Sequence, residues 1–158
     1  MLSERHANAL RILAARLSGT SVTWAVTGST GFALHGLPIE PHDMGIQTDE
    51  AGAYQIEQLF PDEVIRPVNF SSAGHIRSHF GRLRIGGVEV EIMGALQKRQ
   101  ANGEWEPPVE VERYTEIVDL DGLSIPVLSL AYECEAYERL GRTDRSREIR
   151  RWLERTGA

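Results

Sequence analysis

One cysteine, Cys134, in a chain of 158 residues excludes a disulfide framework. Its setting among helix formers in "LAYECEAYERL" reads as a buried structural thiol, not a nucleophile. Long apolar runs are missing too: nothing approaches the roughly eighteen residues that a membrane span requires. The charged opening "MLSERHANAL" lacks the apolar segment of a signal peptide, so a soluble, cytoplasmic protein is expected. Positive charge is in deficit, with 17 Lys and Arg against 23 Asp and Glu and a net charge of -6. That balance argues against a broad grip on nucleic acid, which rests on cations meeting phosphate, and favours a small partner. Lys98 is the only lysine. Internal repeats and low-complexity segments are also absent, which removes solenoid and fibrous architectures.

What is present is an ordinary globular composition, 41% hydrophobic and 25% charged. A chain of this length suits one domain that buries roughly 68–70% of its unfolded surface. "SERHANALRILAARLSG" predicts an amphipathic helix, with Ser3 as N-cap, Ala7, Leu10, Leu13, Ala14 and Leu17 at helical spacing, and Gly19 as the stop. "VTWAVTG" reads as a buried strand that Gly28-Ser29 turns into a short helix over "STGFALHG", closed by Gly36 and Pro38. From Asp43 to Thr48 a second strand places Met44, Ile46 and Thr48 on the core face and Asp43, Gly45 and Gln47 on the other. "DEAGAYQIEQLF" supplies a helix capped by Asp49, with Tyr54, Ile56, Leu59 and Phe60 available for burial. "HFGRLRI" and "VEVEIMG" flank Gly86-Gly87 as a tight hairpin, with Glu89, Glu91 and Met93 sharing one face. "QKRQANGEWEPPVEVE" reads as an exposed loop. Two strands, "RYTEIVDL" and "LSIPVL", then meet at Asp121-Gly122. The end forms two helices broken at Gly141, the first capped by Ser129 and the second by Thr143 or Asp144. The expected fold class is a mixed α/β (α+β) domain.

Chemistry concentrates in "WAVTGSTGFALHGLPIEPHDMGIQTDE". A strand that ends in Gly-Ser and passes into a helix offers free backbone N–H groups suited to phosphate. Fourteen positions after Ser29 an acid, Asp43, opens the next strand, and the acid-bearing strand "VEVEIMG" follows about fifty residues later. Carboxylates on neighbouring strands that converge on divalent cations are what phosphoryl or nucleotidyl transfer requires.

Gly28-Ser29, the intervening helix and Asp43-Met44-Gly45-Ile46 resemble the signature of the nucleotidyltransferase superfamily, which includes DNA polymerase beta and the small antibiotic nucleotidyltransferases. The likeness is to the minimal or lincosamide-modifying bacterial type and runs from Trp24 to about Ile92. "RSHFG", "VEVEIMG" and the closing "VLSLAYE...YERLGRTD" share it. The resemblance implies a mixed β-sheet nucleotidyltransferase fold flanked by helices, with C-terminal helices. A single domain over 1–158 is expected, with a core at about 20–95 and a strand-and-helix appendage at about 109–158. It implies transfer of a nucleoside monophosphate from a nucleoside triphosphate, ATP foremost, to the hydroxyl of an unknown small acceptor. Gly28 and Ser29 would hold the triphosphate. Asp43 and Glu91 would be the catalytic carboxylates and bind Mg2+ or Mn2+, with Glu89 the alternative to Glu91.

The chain departs from that pattern at one place. Where the family carries its second carboxylate, this chain has Gly45. The loss should lower the rate by roughly three orders of magnitude unless a neighbour substitutes. Gln47, His42 and Asp49 are the candidates, none equivalent to an Asp at position 45. A degenerate member that binds nucleotide or a protein partner is the alternative reading.

Other residues carry weaker signals. His75 and His79 have the i, i+4 spacing of two metal ligands on a helix, but Gly74 and Phe80-Gly81 argue against a helix there. Both histidines read better as polar positions near the cleft, with Arg77 or His79 in reach of a substrate phosphate. Lys98 in "QKR" is placed either over the triphosphate or, as the favoured reading, on a solvated turn. Trp105 with Pro107 and Pro108 forms either a lid or a loop anchored by its indole. Tyr132, Ala136, Leu140, Ile149, Trp152 and Leu153 are core or partner-facing, which suits burial within the chain or in a homodimer. Arg142 and Asp144 read as a helix-capping pair, with Arg142 as an alternative phosphate contact. The lysine that the family carries before its "R..D" segment is missing from "YERLGRTD".

Overall fold

Ser3 caps the first helix as its spacing predicts, its hydroxyl accepting from His6 N at 3.1 Å, and the helix α1 runs Glu4–Leu17. The computed structural model describes residues 2–156. After α1 come β1 (Trp24–Thr27), α2 (Gly28–Leu34), β2 (Met44–Thr48) and α3 (Glu50–Leu59), which Asp49 caps at Gly52 N, 2.6 Å. Three strands follow, β3 (Val64–Ala73), β4 (Ile76–Ile85) and β5 (Val88–Lys98). A 3-10 turn at Val111–Tyr114 leads to β6 (Thr115–Leu120), β7 (Leu123–Leu128), α4 (Leu130–Arg139) and α5 (Thr143–Thr156).

The seven strands make one mixed sheet in the order β3-β4-β5-β2-β1-β7-β6. β2 pairs parallel with β5 and antiparallel with β1, and β1 pairs parallel with β7. Strand alternation sends Val26, Met44, Ile46, Val90 and Ile92 to one side, where Leu10 and Leu13 of α1 and Ala53 and Ile56 of α3 complete the main apolar cluster. The opposite side of β1, β2 and β5 carries Thr27, Gly45, Gln47, Glu91 and Met93. It is covered by α4 and the start of α5, held through a second cluster of Phe32, Leu37, Leu130, Cys134 and Ile149. The cysteine is buried there, its thiol donating to Ser146 O at 3.4 Å. Among the described residues no helix is long and apolar enough to cross a membrane.

The structure departs from the sequence expectations in three places. β3 is a strand that the sequence does not announce: Pro67 interrupts it, its residues are mostly exposed and its register shifts twice against β4, the marks of a sheet edge. The exposed loop expected from Gln97 begins only at Arg99, because β5 extends to Lys98 and buries that lysine to 6% exposure. Thr143 and Asp144 lie inside α5, which starts at Thr143. Trp105 bridges to Arg99 and stacks under Arg77, whose guanidinium carbon sits 4.3 Å from the ring centre, which matches the anchored-loop reading.

Candidate active site

Two strand registers build the site. Thr27 stands opposite Gly45 across β1 and β2, and Gly45 opposite Glu91 across β2 and β5. Asp43 immediately precedes β2 on the same face as Gly45, so it and Glu91 are diagonal neighbours across the parallel pair. Gly28 has φ +75, and a Cβ there would meet nothing within 4 Å. Its backbone conformation, not space, calls for glycine as the strand turns directly into α2. With α4 and α5 closing the other side, a cavity of about 480 Å³ forms whose lining includes Gly28, Ser29, Asp43 and Glu91. His42 and Gln47 line it as well.

Glu89 faces a different environment: it pairs with Arg84 at 3.2 Å at the surface. Glu91 lies 3.7 Å from Arg82 Nε. Asp49 is committed to capping α3. Neither His75 nor His79 lines the cavity; His79 lies on β4 against Tyr54 (2.9 Å), Glu50 and Phe70. Arg77 is occupied by Gln97 and Trp105.

Gly45 is enclosed by apolar groups. A Cβ at this position would lie 3.0 Å from Thr27 Cγ2 and 3.1 Å from Met93 Cε. The space beside Asp43 is therefore bordered by two methyl groups, with the Thr27 carbonyl oxygen next at 3.5 Å and no carboxylate. Arg142, expected to pair with Asp144, instead lies over Tyr137 at 4.9 Å and lines the cleft together with Arg145.

The sequence reading passed over one acid in this region. Glu133 of α4 is 4% exposed, and its carboxylate accepts from the Thr27 hydroxyl at 2.5 Å and from Gly28 N at 3.3 Å. Thr27, at the N-cap position of α2, makes no side-chain cap bond, so Glu133 supplies the cap from across the cleft. Burial raises the Glu133 pKa, opposed by the Thr27 and Gly28 hydrogen bonds and by the Lys98 charge. Helical spacing alone gives such an acid no signal, since it sits among core-facing positions.

A folded-state pKa above the unfolded one means that the native state binds its proton more tightly. Stability from this group is full below the ordinary carboxylate range and falls as pH rises through the folded pKa. Glu133→Gln should therefore match the wild type in acid and exceed it increasingly as pH rises, in melting temperature followed from pH 4 to 8. Glu133→Ala should lose about 1–3 kcal/mol even in acid, because a buried hydroxyl and N–H are left unpaired. A pH-independent Gln effect would refute the assignment of a desolvated carboxylate.

The model of the aminoglycoside-2''-adenylyltransferase family matches residues 9–151. A crystal structure of a candidate nucleotidyltransferase from Thermotoga maritima is 48% identical, covers 98% of this chain and 96% of its own, and superposes with a TM-score of 0.87. The lincosamide adenylyltransferase LnuA, solved with lincomycin bound, is 11% identical over 94% of this chain and 97% of its own, with a TM-score of 0.59. ANT(2'')-Ia, solved with adenylyl-2''-tobramycin, is 10% identical over 93% of this chain and 88% of its own, TM-score 0.58. These last two share the fold. No curated protein sequence matches the chain.

Proposed function

The chain belongs to the aminoglycoside-2''-adenylyltransferase family and has the nucleotidyltransferase fold, and from that premise we propose that it transfers a nucleoside monophosphate from a nucleoside triphosphate, ATP foremost, to a hydroxyl of a small molecule. The observation that supports this best is the meeting of Gly28, Ser29, Asp43 and Glu91 in one cleft.

The donor set decides how much metal the cleft can hold. Among the described residues no three His, Cys, Asp or Glu side chains gather as a preformed metal site, and Gly45 offers no oxygen. Two carboxylates on adjacent strands fit one Mg2+ or Mn2+ that completes its shell with phosphate oxygens and water. They do not fit a two-cation clamp. The cation, when bound, neutralises the triphosphate and draws charge from the reacting phosphorus. Asp43 and Glu91 would hold it. Gly28 N–H is taken by Glu133, which leaves the Ser29 hydroxyl and backbone to position phosphate. The acceptor oxygen then bonds to the α-phosphorus as pyrophosphate departs and its proton passes to solvent.

Incubation with labelled nucleotide and Mn2+ should give slow transfer that Asp43→Ala reduces at least 100-fold, the order expected for removing one preorganised charge contact. Equal rates in both proteins would overturn the role of Asp43. The apolar filling around Gly45 favours a second reading, a nucleotide-binding member without turnover. It predicts a rise in melting temperature with Mg-nucleotide but no labelled product.

A further inference from the structure

β5 does not keep one alternation throughout. Ala95 has φ +53, and the β4–β5 register shifts between Arg77 and His79. This bulge reverses the parity beyond it, so Leu96 and Lys98 join Glu91 and Met93 on the cleft face. Lys98 is 6% exposed, and its ammonium donates to the Tyr132 hydroxyl at 3.0 Å. Among the described residues no carboxylate oxygen comes within 4 Å of it. The nearby acids are already engaged: Glu106 and Glu135 with Arg139, Glu133 with Thr27 and Gly28. Tyr132 cannot serve as a counterion, because burial raises its pKa and keeps the phenol neutral. Beside this group Gln47 is 5% exposed; its amide group hydrogen-bonds to the Tyr132 hydroxyl, while its Oε1 has no hydrogen-bond partner among the described residues.

A buried ammonium without an anion and a buried carbonyl without a donor are both costly. One ligand group could satisfy both, an oxyanion next to a hydroxyl. Gln47 is four residues beyond Asp43 on β2, about 13 Å at strand rise, so this corner lies away from the one assigned to the triphosphate.

Resting on the transferase reading above, we propose that the Lys98–Gln47–Tyr132 corner receives the acidic group of the acceptor, so that the second substrate is a hydroxylated acid rather than a polycation. Lys98 meets the carboxylate or phosphate, Gln47 Oε1 accepts from a neighbouring hydroxyl, and another hydroxyl of the same molecule is left to face Asp43 and Glu91.

Isothermal titration with four sugars that differ chiefly in charge tests this: glucuronate, glucose 6-phosphate, glucose and glucosamine. At least one acid should bind roughly 10- to 100-fold more tightly than glucose, and glucosamine no better than glucose. Which acid wins distinguishes a carboxylate from a phosphate. Lys98→Met, which keeps the buried stem, should erase the preference, and Lys98→Gln does the same should the first variant fail to fold. The Mg-nucleotide shift in melting temperature, measured in parallel, should persist in both variants. Acids that bind no better than glucose, or a preference that survives loss of the ammonium, would overturn the proposal. Loss of the nucleotide shift in the wild type would instead strike the transferase reading.

Discussion

Gly45→Asp should raise nucleotidyl transfer by roughly two to three orders of magnitude, the scale on which a single preorganised electrostatic contact acts. The new carboxylate would stand between Asp43 and Glu91, opposite the latter in the strand register. Room for it can be made, since the two closest contacts are the methyl group of Thr27 at 3.0 Å and the end of the flexible Met93 side chain at 3.1 Å, and the Thr27 carbonyl oxygen at 3.5 Å is at ordinary contact distance. No positive φ is recorded for Gly45, so an Asp costs no backbone strain. The measurement is single-turnover transfer of labelled nucleotide in the wild type, Gly45→Asp and Gly45→Asn, the last filling the same volume without charge. A gain with Asp alone identifies the missing carboxylate as the limit on rate. A gain of the same size with Asn would assign the effect to packing and refute the electrostatic account. No gain with Asp, in a protein that folds and binds Mg-nucleotide, would mean that Asp43 and Glu91 do not form half of a metal site.

Phe32→Ala should cost about 3–5 kcal/mol, the range for emptying a buried aromatic position. Phe32 is 1% exposed and is the largest member of the cluster that holds α4 and α5 against α2. Its ring centre lies 5.9 Å from that of Tyr137, and the Arg145 guanidinium is 5.6 Å above it. Since a domain of this kind has only about 5–15 kcal/mol in hand, the variant should show a much lower denaturant midpoint. Two of the contacts of Phe32 line the cleft, so the variant should also weaken the response to Mg-nucleotide under conditions where it is still folded. A loss under about 1 kcal/mol would show that the cleft wall is anchored elsewhere than at this ring.

How much of this was legible in the chain depended on the range of the interaction. Caps and turns act within three or four residues, and Ser3, Asp49, Ser129 and the Gly86-Gly87 and Asp121-Gly122 turns occupy the places their local chemistry predicts. The two-residue period of β2 and β5 likewise put Met44 and Ile46 in the core and set Asp43 and Glu91 on a common side. β3 escaped notice because an edge strand is stabilised by one neighbour and needs no apolar period of its own.

Lys98 and Glu133 became part of the site for reasons that no local window contains. A one-residue bulge at Ala95 reversed the strand parity, turning a lysine expected in solvent into a buried cation. Glu133 reaches Thr27 and Gly28 across more than a hundred residues of chain because β7 pairs with β1 and carries α4 over the cleft. By itself the sequence determined most of the elements, the glycine-serine corner and the common side of Asp43 and Glu91, all consequences of short-range periodicity and residue chemistry. Tertiary structure decided what surrounds them, since desolvation and unpaired charge arise only when distant segments exclude water together.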